Sequence, residues 1–315
     1  MVPTGKRSEF EPLLDAVAEA LADPDFVINR GAGSLLVKHG DISTRVEMAP
    51  CDETDSPIGP VKCVLQIRSD LAQEMTQFIL TKPKATTLMN RMATLGALTF
   101  EGDHVFIGSR ITIFESDDAW NIQVPLIVMS VIAAARSMLG ATGGVLTGCT
   151  TDEDPSAWVE NDFDQVEDFF SGQCVCSRGE LAFVAEFPLR PGAATAMAGD
   201  DRTALWTITA DEPHPQLGGG LFCKLELPHH LSDGSRFTGV LRQLNQLEML
   251  PHALPPHFGA WCIGESDHNP TYVSFLPNAL HDAARGIALN MSVWASSRAQ
   301  WANATLASMG ISAER

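Results

Sequence analysis

Two distant stretches of this chain read alike. Val61-Lys-Cys-Val-Leu-Gln-Ile67 aligns without a gap with Leu221-Phe-Cys-Lys-Leu-Glu-Leu227, cysteine on cysteine. At the same register Val46 and Met48 fall on Trp206 and Ile208. After a short shift, Thr87 to Leu95 aligns with Arg242 to Leu250 and places Asn90 on Asn245. A duplication constrains a fold more than any composition does, because each half must bury its own apolar face by the same arrangement of elements.

The order of predicted elements repeats with the segments. In the first half, Phe10, Leu13, Leu14, Val17 and Leu21 recur at helical spacing over Glu9 to Ala22. Strands are predicted at 26–29, 34–38 and 42–48, with Gly31, Gly33 and Gly40 as turn signals. Val61, Cys63, Leu65 and Ile67 alternate onto one face of a further strand. A helix over 85–95, short strands at 104–108 and 110–114, and an apolar helix over about 125–139 close the half. The second half repeats this: a helix at 162–170, strands at 173–176, 181–187, 204–209 and 221–227, and a helix over 235–250. Strands at 258–263 and 271–276 and one long helix over 278–308 follow. The expected fold class is α+β: two similar α-β-β-β-α-β-β-α units with antiparallel sheets, related by a pseudo-two-fold, with an additional strand near each N-terminus. The expected domains are residues 1–148 and 162–315, joined by an acidic linker over 149–161.

Length and composition agree with two cores. The chain has 315 residues, 45% hydrophobic and 19% charged, enough apolar material for two domains. Its formal net charge of −18 repels phosphate backbones, so no nucleic-acid partner is expected, and it favours basic segments of partners. The acidic run over 151–168 reads as a solvated linker or helix face. Seven cysteines at scattered spacings, without a CxxC pair, predict reduced thiols in a cytoplasmic protein. The stretch from Ile122 to Ala135 is apolar but too short to span a bilayer, so no membrane partner is expected.

Catalytic signatures are not found. The glycine-rich run from Gly140 to Gly148 lacks the Lys-Ser/Thr ending of a phosphate loop and follows a helix, so it reads as a C-cap and hinge. No Gly-x-Ser-x-Gly elbow occurs. Cys174 and Cys176 lie near acidic residues, which raise rather than lower thiol pKa values. His229, His230, His252 and His257 could supply a metal site if their loops converge. Adjacent histidines on a strand point to opposite faces, so no metal is assigned, and no cofactor is expected.

The C-terminal helix carries the remaining local signal. Leu280, Ile287, Trp294 and Trp301 repeat every seven residues, with Ala284, Met291, Arg298 and Thr305 beside them. Such a stripe packs on its own sheet or forms a helix–helix seam. A helix of this predicted length, about 45 Å, would outrun a small sheet. Trp294, Arg298 and Trp301 are then candidate partner anchors.

Helix, three or four antiparallel strands, helix, two strands, helix: this order, with the Leu/Met-Asn-x-Leu/Met stretches at Asn90 and Asn245, resembles the type III secretion chaperone-like fold, including the bacterial YbjN-like proteins. The resemblance covers most of each half and implies a protein-binding, chaperone-like module that is not an enzyme. It implies a fused pseudo-dimer, monomeric or pairing further as a homodimer. The alternative is a small-molecule-binding protein or hydrolase with its site between the halves, where pockets tend to form.

Overall fold

The computed structural model describes residues 4–49, 60–71, 73–82, 86–87, 89–90, 95–114, 120–141, 155–189, 202–214, 218–230, 234–251, 255–264, 269–284 and 286–311. Two compact units emerge. The first comprises Met1–Thr147 with Asn245–Ala260, and the second Gly148–Leu244 with Trp261–Arg315. The stretch Asn245–Ala260 thus follows the second half in sequence but belongs to the first unit in space.

The first unit runs α1 (Thr4–Ala20), β1 (Val27–Gly31), β2 (Ser34–His39), β3 (Ile42–Ala49), β4 (Val61–Asp70), α2 (Gln73–Thr81), β5 (Ala97–Glu101), β6 (His104–Phe114) and α3 (Trp120–Ala141). Its six strands form one antiparallel sheet in the order β1-β2-β3-β4-β6-β5. Helices α1 and α3 pack against each other and cover one face. Leu14 and Val17 of α1 and Val124, Val128 and Val131 of α3 are buried there, over Leu35, Val46, Leu65 and Ile67. Strand alternation aims those sheet residues at the helices and turns Ser34, Glu47, Gln66 and Arg68 to the opposite face.

The second half of the chain runs α4 (Glu160–Phe170), β7 (Val175–Arg178), β8 (Ala182–Pro188), β9 (Thr203–Thr209), β10 (Gly220–Glu226), α5 (Gly234–Glu248), β11 (Ala260–Ile263), β12 (Pro270–Pro277), α6 (Ala279–Ala283) and α7 (Ile287–Ser308), of which the last turn of α5 and Ala260 fall in the first unit. Its sheet order is β11-β12-β10-β9-β8-β7, which is the first order read from the other end. Helices α4 and α7 take the places of α1 and α3, packing on each other and on β7 to β10. The protein is therefore α+β, with two similar antiparallel sheet units of six strands each.

The pairing ladders align the halves residue by residue. Across the first sheet, Arg30 sits opposite Leu35, Leu35 opposite Val46, Val46 opposite Ile67, and Ile67 opposite Ser109. Across the second, Arg178 sits opposite Phe183, Phe183 opposite Ile208, Ile208 opposite Cys223, and Cys223 opposite Ser274. Both rows run from arginine to serine through three buried apolar residues. The structural equivalent of Cys223 is thus Ile67, not Cys63, and that of Ile208 is Val46. The gapless sequence register slides β10 by four residues, an even step that keeps every side chain on its face.

Several elements differ from expectation. Residues 104–114 form one strand, not two, and β5 and α2 are additional elements. Gly108 does not break the strand. It makes room for another chain segment: a Cβ there would lie 2.9 Å from Met249 Cε. The expected long C-terminal helix is two helices, because Gly286 takes a left-handed φ of 76° at the N-cap of α7. Of the helix expected over 85–95, residues 86, 87, 89 and 90 are helical and the rest, apart from Leu95, lie outside the described residues. The run 142–148 and His252 also lie outside them.

Candidate functional site

The outer strands β1 and β7 occupy equivalent ends of the two sheets. Each forms a two-residue turn with the next strand, Ala32-Gly33 in one and Glu180-Leu181 in the other. Each is tied to the helix before it by one arginine. Arg30 bonds Glu11 and, at 3.0 Å, Asp15 of α1. Arg178 bonds Glu160 at 3.0 Å, Asp164 at 2.6 Å and Glu167 at 3.3 Å on α4. Glu11 with Asp15, and Glu160 with Asp164, are one helical turn apart, so both carboxylates reach the same guanidinium. The acidic face read as solvated from sequence is therefore, at Glu160, Asp164 and Glu167, a docking face for a strand.

Among the described residues these two edges are open, and the opposite ones are not. Val27 is 59% exposed on β1 and Val175 is 70% exposed on β7, the two highest exposures among the large apolar residues described. At the far ends, Ala97 to Phe100 of β5 and Ala260 to Cys262 of β11 are buried. On β7, the Gly179 N–H donates to the Ala182 carbonyl at 2.8 Å to close the hairpin. Antiparallel alternation then turns the N–H and C=O groups of Ser177 and Val175 toward β8, and those of Arg178 and Cys176 outward. Among the described residues, β7 pairs only with β8. An outer strand with outward backbone groups is a template for another strand.

A second feature lies in the first unit, on the sheet face away from α1 and α3. A cavity of about 620 Å³ opens over Glu47, Gln66, Arg68 and Phe106 and is bounded by Met249 and Leu250. Gln66 Nε2 donates to the Met249 carbonyl at 2.6 Å, which fixes that wall. Arg68 donates to Glu101 at 2.6 Å and stacks over Phe106, with 5.1 Å from its guanidinium carbon to the ring centre. Beside the cavity, Arg110 is fully buried. It donates from Nε to the Glu248 carbonyl at 2.6 Å and from Nη2 to the Pro255 carbonyl at 2.8 Å, with Glu248 Oε2 at 3.9 Å.

Among the described residues the histidines do not converge on a metal site. His257 is buried in the first unit, exchanging backbone hydrogen bonds with Arg110, and its Nδ1 lies 3.7 Å from Glu248 Oε2. The neighbouring guanidinium already supplies the positive charge that Glu248 balances. His229 is buried in the second unit, and burial, with Arg202 adding to it, pushes its pKa down to about 4 against the hydrogen bond it donates to Asn303. His230 beside it is half-buried. Among the described residues no group of three metal-ligating side chains assembles. His281, which carried no sequence signal, meets Asp162 at 3.2 Å beside a cavity of about 380 Å³. The same carboxylate oxygen accepts the Val159 N–H at 2.9 Å, so the pair fixes the start of α4.

The C-terminal anchors lie within the second unit. Trp294 and Arg298 are buried, and the Arg298 guanidinium sits 4.2 Å over the Tyr272 ring. Trp301 is half-buried. Trp206 of β9 donates to Ser292 Oγ of α7 at 2.9 Å, which fixes the helix on its own sheet. Two buried thiols are unsuited to nucleophilic work: burial pushes Cys63 up to about 12 and raises Cys223 further. Cys174 is raised by burial first, then by Cys176 and Glu186.

No family model, no curated protein and no solved structure matches this chain. Among the described residues no helix is long and apolar enough to cross a membrane.

Proposed function

We propose that this protein is a non-enzymatic, chaperone-like module that binds an extended segment of a partner protein as an added strand. The observation that carries the reading is the pair of outer strands, β1 and β7, open among the described residues, at equivalent ends of two similar sheets whose other ends are buried. Strand addition supplies affinity through main-chain hydrogen bonds and selectivity through alternate side chains. Both strands are held rigidly by an arginine clamp, which limits the ordering cost that falls on the protein when a segment docks. The type III secretion chaperone-like resemblance of the element order points the same way.

The test is a displayed-peptide selection against the full chain, followed by hydrogen exchange of the chain with a selected peptide bound. The expected result is slowed exchange at the outward amides of Cys176 and Arg178, or at their β1 equivalents Ile28 and Arg30. Cys176→Pro removes one outward N–H and leaves the ladder to β8 intact, as proline is tolerated on an edge. It should abolish the β7 protection without unfolding the chain. Protection confined to other elements, or none, would overturn the proposal.

A further inference from the structure

The two open edges are equivalent in backbone but differ in charge at one place. Opposite Val27 on the outward face stands Lys38, and opposite Val175 at the equivalent position stands Glu186. All four side chains are exposed. A lysine beside an outer strand is a common guard against unwanted pairing. The second sheet has a glutamate in its place. Arg178, the one cation on β7, is occupied underneath by three carboxylates. Between residues 156 and 188, seven acidic residues stand against one basic residue, a net of −6 in a stretch that holds the whole β7 edge.

We infer that the β7 edge selects a basic, extended polypeptide segment in which lysine or arginine alternates with apolar residues. This inference rests on the strand-addition reading above and names the chemistry of the occupant. A strand added to Cys176 and Arg178 places one set of its side chains on the face of Val175, Glu186 and Leu205, which pair in one row. A lysine or arginine there lays its apolar stem over Val175 and carries its charge to Glu186, one strand further in at about 9–10 Å from the added strand. The other set of side chains falls beside α4, where Glu160, Asp164 and Glu167 keep 62%, 48% and 43% of their side-chain surface exposed. A second copy of this chain is the wrong occupant, because pairing β7 with β7 sets one net charge of −6 against another. Lys38 makes β1 the disfavoured edge for the same basic segment.

The experiment compares short alternating Lys–Val, Ser–Val and Glu–Val peptides by fluorescence anisotropy on the full chain, with hydrogen exchange to locate each. The Lys–Val peptide should bind at least about tenfold more tightly than the Glu–Val peptide, the size expected from a few exposed ion pairs. It should slow exchange at Cys176 and Arg178 and weaken as salt is raised. Glu186→Lys should cost this peptide about fivefold or more. Lys38→Glu should create a second site with slowed exchange at Ile28 and Arg30. Equal binding of the Lys–Val and Glu–Val peptides at β7, or a Glu186→Lys variant that binds unchanged, overturns the charge inference and leaves strand addition standing. Failure of all three peptides to protect either edge removes strand addition and this inference with it. Slow exchange at Cys176 and Arg178 before any peptide is added, with a dimer in sedimentation, assigns the edge to a second copy and overturns the inference in a third, distinguishable way.

Discussion

Acidification should destabilise the second unit through His229. Its imidazole is 1% exposed, and its folded pKa lies at about 4, below the unfolded value of 6.5. The folded state therefore keeps the ring neutral while the unfolded state takes up a proton. Above pH 6.5 the two states bind equally and the full stability is present. As the pH falls from 6.5 toward 4 the unfolded state gains a proton that the folded state refuses, and stability is lost at up to about 1.4 kcal/mol per pH unit. Over the whole window the loss is about 3 kcal/mol; below pH 4 this group adds no further slope. The assay is urea unfolding at a series of pH values, followed by tryptophan fluorescence. Five of the six tryptophans lie in the second unit, so the signal reports that unit. Carboxylates also titrate near the lower end, so the comparison is with His229→Gln, which retains hydrogen-bonding groups for Asn303 but cannot ionise in this range. The variant should unfold with a shallower dependence between pH 6.5 and 4.5. Parallel curves for the two proteins would show that His229 is hydrated or charged in the folded state, and the burial argument would fail.

Three further outcomes follow from the geometry. Arg178→Leu should cost about 1–2 kcal/mol in urea unfolding at low salt and much less at high salt, because its three partners are exposed carboxylates; Arg30→Leu, with two partners, should cost less, and a salt-independent loss would assign the effect to the buried stem instead. Gly220→Ala should lower the melting temperature sharply, with a cost of about 3 kcal/mol or more, since its Cβ would stand 2.3 Å from Phe275 Cζ and 2.5 Å from the Leu276 carbonyl oxygen; an unchanged melting temperature would contradict that packing. Arg110→Met removes the guanidinium beside the buried Glu248 carboxylate and should cost about 3–5 kcal/mol, while adding Glu248→Gln should recover a substantial part; no recovery in the double variant would mean that Arg110 acts through its hydrogen bonds to backbone carbonyls instead.

Which face each strand buries was legible in the sequence, because alternation with period two is written into the residues. Cys63, Leu65 and Ile67 of β4 and Leu221, Cys223 and Leu225 of β10 show it, all buried; Val61 does not, because the ladder to β6 shifts register between Val61 and Cys63. The α+β class followed from the element order. Turns were legible where glycine takes a positive φ, as at Gly33 and Gly40. Gly108 misled for the opposite reason: it serves a close approach by Met249, a contact from far along the chain that no local window contains. The Arg110, Glu248 and His257 cluster is illegible for the same cause.

The register between the halves was the deeper loss, and it decides what the edges mean. A period of two cannot distinguish a correct alignment from one slid by two or four residues, since every even slide keeps the apolar set inside. The cysteine match at Cys63 and Cys223 therefore looked right while pairing the wrong rows. What sets the true register is loop length. The β2 to β3 turn is closed by His39 and Ile42, whereas the equivalent β8 to β9 connection runs from Pro188 to Thr203. Unequal connections shift each successive strand by a different amount, so no gapless alignment holds across the whole half. Once the ladders are followed outward from Ile67 and Cys223, Arg30 falls on Arg178 and Lys38 on Glu186. By the first equivalence, an arginine clamp holds the outer strand in each half. By the second, a lysine stands beside that strand in the first half and a glutamate in the other. A strand held rigid in both halves, but guarded by a lysine in only one, is the arrangement that the proposed strand addition requires, with one edge left to a partner and the other kept from competing for it.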